Sequence, residues 1–397
     1  MNILHVVPSL SMRTGGPALA VAESARALAR AGTRTTIFAT DMAYPAGTGD
    51  QRAVTQAELP RAVADLDVRL FPARRPYRLA FSPAMLQALR RETGRYDVVH
   101  VHSLFLFPQF AAFQQARRAG VPYVVSPRGA LDPHLRARSR GIKTIAHVTW
   151  QRSMLDHAAA LHLTSRAEAE LVRDIAPHVP RHVVPNGIDM QRFDGPGDAA
   201  NFRARYMPDR TGPAVLYHGR ISHKKGLDVL MRAFASVAPR VPGATLVIAG
   251  PDDERLMPAL ASLAMALGIR ERVVFTGMLA ADDVRDALAA AHVWALASRS
   301  ENFANAFVEA MAAGLPCVVT PHVNIASDAV AAGAAIVAPV EPVAFAREIE
   351  QLLGDPDRRA SLGERARQFS QRFDWDAVTP QLVAMYESVR ALVGVAA

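Results

Sequence analysis

Cysteine is almost absent: Cys317 is the only one in 397 residues. A single thiol cannot close a disulfide within the chain, and it leaves no zinc site built on cysteine pairs. Long apolar runs are also absent. No stretch approaches the ~18 uninterrupted apolar residues of a membrane-spanning helix. The opening MNILHVVPSL has no basic segment ahead of its short apolar run, so it reads as a buried strand and not as a secretion signal. The cytoplasm is therefore the expected compartment. Several catalytic signatures are missing too: no G-x-G-x-x-G dinucleotide loop, no phosphate-binding loop ending in Lys-Ser/Thr, and no HExxH metal helix. No basic patch is interleaved with aromatic residues, so nucleic acid is not an expected partner despite a net charge of +8.

What is present is ample apolar material. Half the residues are hydrophobic and 21% are charged, enough for two domains of about 200 residues each. Short β-branched runs alternate with helical stretches. Ile3–Pro8, Thr35–Thr40, Asp97–His102, Tyr123–Ser126, Ala160–Thr164 and His182–Val184 read as strands of a first half. Ala214–His218, Thr245–Ala249, Val273–Thr276, Val293–Leu296, Cys317–Thr320 and Ala335–Ala338 read as strands of a second. Such alternation predicts mostly parallel sheets covered on both faces. The polar segment Asp194–Gly212 reads as a linker. The expected domains are residues 1–193 and 194–374, each Rossmann-like, facing each other across a cleft lined by the carboxyl ends of their strands.

Three segments carry chemistry. Thr14-Gly15-Gly16-Pro17 lies between a strand and a helix, where glycines let backbone N–H groups approach an anion; alone it is equally a plain turn, with Pro17 suited to the first helical position. His218-Gly219-Arg220-Ile221-Ser222-His223-Lys224-Lys225-Gly226 follows the first strand of the second half. Arg220 offers a fork to phosphate oxygens and Lys225 a point charge, which together suit a diphosphate. Ser300-Glu301-Asn302-Phe303-Ala304-Asn305-Ala306-Phe307-Val308-Glu309 runs from a strand into a helix expected to begin near Phe303. Glu309 then lies about two turns in, and Glu301 in the loop before it. The two carboxylates suit sugar hydroxyls and a ribose diol, and the Phe303 and Ala304 N–H groups suit the same ligand.

These segments, with V-P-N-G-I-D at Val184–Asp189 and H-S-L-F at His102–Phe105, resemble the retaining GT-B glycosyltransferases of family 4 from end to end. The resemblance implies an α/β GT-B fold and a metal-independent transferase with no cofactor. It moves a sugar from a nucleoside-diphosphate sugar to a glycan or a polyprenyl-diphosphate-linked acceptor. It assigns the donor to Gly16, Gly219, Arg220, Lys225, Phe303, Ala304 and Glu309, and the chemistry to Glu301, Arg220, Lys225 and Arg128. A final helix, 375–397, is expected to return to the first domain. One position departs from the pattern. Where many members carry a histidine after the fourth strand, this chain has Arg128, in S-P-R-G-A-L-D-P, and arginine cannot act as a base. That segment is similar to a subgroup of bacterial surface-polysaccharide assembly. His102, Arg128 and His134 make up the expected acceptor side.

The basic run Arg136, Arg138, Arg140, Lys143 and Arg152 implies an anionic membrane surface as a docking partner on the inner face of the cytoplasmic membrane. The alternative enzyme class is a sugar-nucleotide epimerase on the same fold. Asp65-Leu66-Asp67 matches a metal-binding DxD, but its place before a first-half strand reads as structural. Cys317, in an apolar run, reads as a buried strand residue.

Overall fold

The structure, a computed structural model, describes residues 1–14, 16–43, 53–131, 150–195 and 197–394. They fall into two compact units: Met1–Gly187 with Trp375–Ala397, and Ile188–Asp374.

The first unit contains β1 (Asn2–Ser9), α1 (Gly16–Arg30), β2 (Arg34–Thr40), β3 (Asp67–Phe71), α2 (Pro83–Glu92), β4 (Val98–His102), α3 (Phe107–Ala119), β5 (Tyr123–Ser126), α4 (Arg152–Asp156), β6 (Ala160–Leu163), α5 (Arg166–Leu171) and β7 (Arg181–Val183). The strands form one parallel sheet in the order β3-β2-β1-β4-β5-β6-β7. Runs such as Val98–His102, buried at every position, are what a sheet covered on both faces requires. Ser82 caps α2 by accepting the Met85 N–H, and Pro83 sits at the first helical position, where its missing donor costs nothing.

The second unit contains α6 (Ala199–Tyr206), β8 (Ala214–His218), α7 (Leu227–Val237), β9 (Thr245–Ala249), α8 (Met257–Ala266), β10 (Val273–Gly277), α9 (Ala281–Ala290), β11 (Val293–Leu296), α10 (Asn305–Ala312), β12 (Cys317–Val319), α11 (Ala326–Ala331), β13 (Ile336–Val337), α12 (Pro342–Gly354) and α13 (Pro356–Ser370). Its parallel sheet runs β10-β9-β8-β11-β12-β13. The last helix, α14 (Trp375–Gly394), belongs to the first unit. Val378, Leu382, Met385, Tyr386 and Val389 on it bury against Ile3, Val98, Val124 and Ala160 of that unit's sheet.

The structure corrects three details of the sequence reading. The chain divides after Gly187 and not after residue 193, because Ile188, Met190 and Phe193 join the core of the second unit. The polar segment 194–212 is not simply a linker. Asp198 accepts the Asn201 N–H at 2.8 Å, starts α6, and Phe202 is buried. Pro17 is the second residue of α1, not the first.

Candidate active site

In each sheet the strand order reverses between the first strand and the fourth: β1 with β4, and β8 with β11. The connections on either side of such a point diverge to opposite faces, which leaves a crevice at the carboxyl ends of those two strands. In the second unit, the segment His218–Gly226 leaves β8 and the segment Ala297–Ala304 leaves β11. Topology therefore brings the two segments together.

Their side chains meet. Lys225 Nζ is 2.8 Å from Glu301 Oε1, and Lys224 Nζ is 3.4 Å from the same oxygen. Ser298 Oγ donates to that oxygen at 3.2 Å. Glu301 is buried, which by itself would raise its pKa; Lys225 and then Lys224 outweigh burial and hold it at about 2. Burial in turn lowers Lys225, and Glu301 partly offsets this. The Arg220 guanidinium makes no ion pair among the described residues, while its carbonyl accepts the Tyr217 hydroxyl at 2.6 Å. Three cations and one carboxylate thus share this end of the sheet, leaving an excess of positive charge suited to a polyanion. Gly219 gives its own N–H to the Ala249 carbonyl at 2.9 Å, so that amide serves the fold and is not free for a phosphate. Gly226, at φ +64°, is required for packing: a Cβ there would run into the Ala297 carbonyl.

The helix carrying Glu309 begins at Asn305 and not near Phe303. Ala304, at φ 62°, adopts the left-handed conformation and turns the chain into it. Glu309 consequently lies little more than one turn in, not two. The shift leaves the Phe303 and Ala304 N–H groups outside the helix, and neither donates to a described residue. The Phe303 ring is buried edge-on against Phe373 at 5.5 Å, so only its backbone can meet a ligand. Glu309 Oε2 lies 3.0 Å from His218 Nε2, and its Oε1 lies 4.0 Å from Arg192 Nη1. Burial would raise the Glu309 pKa; the His218 hydrogen bond and the Arg192 charge bring it below the usual value.

In the first unit, Gly16 opens α1 after β1, and Gly15 lies outside the described residues. Arg128 follows β5 at φ 51°, a left-handed conformation that side chains larger than glycine adopt under strain. It donates from Nε and Nη2 to His102 Nδ1, at 3.3 and 3.2 Å, and from Nη1 to Asn186 Oδ1 at 3.0 Å. Its partners are neutral, and it forms no ion pair among the described residues. Burial pulls it down to about 10, still charged at neutral pH. His102 differs from the expected acceptor-side residue: its ring is 1% exposed, so it acts on that side only through Arg128. His134 and the run Arg136, Arg138, Arg140 and Lys143 lie outside the described residues.

Beneath Arg128 lies a set of buried histidines, of which the sequence reading singled out His102 and not His5, His100 or His162. Hydrogen-bond directions assign their protons. The Val184 carbonyl only accepts, so His162 donates from Nε2 at 2.9 Å, and its Nδ1 accepts from Ser126 Oγ at 2.7 Å. Ser126 Oγ then accepts from His100 Nε2 at 2.7 Å, and His100 Nδ1 accepts the Tyr386 hydroxyl at 2.6 Å. Arginine only donates, so His102 gives its Nε2 proton to His5 Nδ1 at 3.0 Å. All four rings are neutral. Burial, with Arg128 and the neighbouring histidines adding to it, lowers each of them, His5 and His162 to about 3. Nitrogens of His5, His100 and His102 lie within 4.8 Å of one another. Their lone pairs already accept hydrogen bonds and a guanidinium adjoins them, which is a poor donor set for a metal cation. The signal was in the sequence as V-H-V-H: alternate residues of β4 share a face, and His5 is the register partner of His100.

The residues set aside also find places. Asp67 accepts from Thr36 Oγ1 at 3.0 Å inside β3, a structural contact. Cys317 is buried in β12.

Comparisons with known proteins agree in kind. Residues 198–369 match the family model described as glycosyl transferases group 1, and residues 15–187 match a glycosyl transferase 4-like domain. A D-inositol 3-phosphate glycosyltransferase of Xylanimonas cellulosilytica is 30% identical over 94% of this chain and 91% of its own. One of the same name from Jonesia denitrificans is 28% identical over 100% and 97%. Sucrose-phosphate synthase of Thermosynechococcus elongatus superposes with a TM-score of 0.78 at 19% identity, covering 99% of this chain and 100% of that one. HepE of Anabaena, solved with UDP and glucose, superposes at 0.77 with 21% identity, covering 98% and 100%.

Proposed function

The chain belongs to the group 1 glycosyltransferases, an enzyme family with the GT-B fold, and on that premise we propose that it transfers a sugar from a nucleoside-diphosphate sugar to a phosphate-bearing acceptor with retention of configuration. The observation that carries the donor half is the Lys225–Glu301 pair, with Lys224 and Arg220 beside it, at the crevice end of β8 and β11. Arg220 and Lys225 take the diphosphate, Glu301 and the Phe303 and Ala304 amides take the transferred sugar, and Glu309 takes the ribose diol. The bond from the anomeric carbon to the phosphate oxygen breaks as the acceptor oxygen bonds on the same face. The departing phosphate takes the acceptor proton, and the cations act most strongly as its charge develops. No resident metal or cofactor is invoked. Retention is tested by the anomeric configuration of the product; inversion overturns it.

On the acceptor side, Arg128 supports an anionic substrate, since a part-buried guanidinium among neutral partners gains from a phosphate. The inositol phosphate in the relatives' names and a polyprenyl-diphosphate-linked glycan of surface-polysaccharide assembly share that feature. Paired acceptor assays separate them. Turnover with inositol 3-phosphate alone supports the first, turnover with the lipid-linked glycan alone supports the second, and activity with a neutral glycan alone overturns the role of Arg128. No helix of the described chain is long and apolar enough to cross a membrane. Attachment to the inner face of the membrane through the 136–152 basic run is tested by vesicle co-sedimentation, where independence of anionic lipid and salt excludes it.

The donor is identified by a thermal-shift screen of UDP-, GDP- and ADP-sugars. At ~100-fold excess over Kd a ligand adds about 2.7 kcal/mol of apparent stability. We expect Glu309→Ala to abolish the shift, and a full shift in that variant overturns the ribose assignment.

A further inference from the structure

His218 and Trp294 stand behind Glu309 and touch nothing else in the proposed chemistry. His218 is the last residue of β8 and 6% exposed. Its Nδ1 faces Trp294 Nε1 at 2.9 Å, and its Nε2 faces Glu309 Oε2 at 3.0 Å. The indole N–H can only donate, so Nδ1 must hold a lone pair and the ring proton sits on Nε2, aimed at the carboxylate. The direction of the relay is thereby fixed: indole to imidazole, imidazole to carboxylate. Trp294 is itself fully buried in β11, in register with Leu216 of β8 and Cys317 of β12. The same indole stacks on Phe307 at 5.7 Å and 16°, and Phe307 lies on the helix that carries Glu309. One side chain therefore fixes both the helix and the imidazole that faces it.

We propose that His218 and Trp294 are positioning residues that set the ribose selectivity of Glu309, by holding its carboxylate with one edge engaged and its other lone pairs presented to a vicinal diol. This rests on the reading of Glu309 as the ribose-holding residue. A carboxylate accepts at about four sites. His218 occupies one on Oε2, while Arg192, 4.0 Å from Oε1, steadies the other oxygen without a close hydrogen bond. Without the imidazole donor, Glu309 is free to turn toward Arg192, and the diol must order it on binding.

The test compares a nucleoside diphosphate with its 2′-deoxy and 3′-deoxy counterparts by calorimetry, using whichever of UDP, GDP and ADP the protein binds. A hydrogen bond to a charged group predicts a roughly 10- to 100-fold preference for the ribonucleotide in the wild type. His218→Leu should bring this ratio within about threefold of unity while affinity for inorganic pyrophosphate, which has no ribose, stays unchanged. His218→Gln should keep the wild-type ratio, because its amide can accept from Trp294 and donate to Glu309. Trp294→Phe keeps the stack on Phe307 but frees the ring, and should lower the ratio partway. A folded His218→Leu that keeps the full ratio, while Glu309→Ala loses it, overturns this inference and leaves the ribose reading intact. If Glu309→Ala itself keeps the ratio, the ribose reading fails and the inference fails with it. If His218→Gln behaves as His218→Leu, the relay of donors is wrong.

Discussion

Lys225 and Glu301 show what a buried pair asks of its members. With Lys225 at 12% side-chain exposure and Glu301 at 7%, removing the carboxylate strands the ammonium in a poor solvent, whereas removing the ammonium leaves Glu301 with Lys224 alone at 3.4 Å. Lys225→Met should destabilise the second unit by about 2 kcal/mol, less than the ~3–5 kcal/mol of a fully orphaned buried charge, because Lys224 still faces Glu301. The double variant Lys225→Met, Glu301→Gln should recover most of that stability but none of the donor binding. Denaturant titration of the three proteins measures it, and equal stability of single and double variants would show that the pair is not coupled. Both members of this pair were candidates in the sequence, Lys225 for the diphosphate and Glu301 for the sugar hydroxyls and the chemistry. Their contact was not legible there: it depends on β8 and β11 being neighbours, which only the strand order decides. His218 and Trp294 went unread for a similar reason. A histidine at a strand end and a tryptophan inside an apolar strand carry no local sign of facing each other.

At the scale of elements, the turn from the 223–225 segment into α7 turns on Gly226. Its left-handed φ and the adjacent Ala297 carbonyl leave no room for a side chain. Gly226→Ala adds about 1–2 kcal/mol from the left-handed conformation alone, and relief of the clash must move Lys225, its neighbour. We expect kcat/KM to fall more than stability does. Loss of stability with unchanged kcat/KM would show that the loop absorbs the change away from the lysine. Strands and most helices were readable because alternation and apolar spacing are local properties. Tyr123–Ser126, Ala214–His218, Thr245–Ala249 and Val293–Leu296 coincide with the observed strands to the residue. The start of α10 was not readable: nothing in Asn302-Phe303-Ala304 announces that an alanine takes φ 62°. The polar stretch around α6 misled for the opposite reason, since its buried anchors, Phe202 and Met207, are outnumbered by charged neighbours.

For the molecule as a whole, the two units should differ in their response to acid. His5, His100, His102 and His162 are neutral when the first unit is folded, with pKa values below the 6.5 of a free imidazole. Below about pH 6.5 the unfolded chain binds protons that the folded unit refuses, so stability is full above that pH and falls as pH drops toward 3. The slope approaches about 1.4 kcal/mol per pH unit for each such histidine. Glu301, held near 2, begins to weaken the second unit only below about pH 4.5. Calorimetry near pH 5 should therefore show the first unit melting first. Coincident melting at every pH would mean that the buried rings titrate freely.

The last helix carries a consequence in time. During synthesis, residues 188–374 are complete before Trp375–Gly394 leave the ribosome. The second unit, although later in sequence, has all its parts first. The first unit starts earlier and must wait with part of one face of its sheet uncovered, its His100 without the Tyr386 hydroxyl. A nascent chain stalled short of residue 375 would hold one finished unit and one unfinished one, and the unfinished one is the N-terminal.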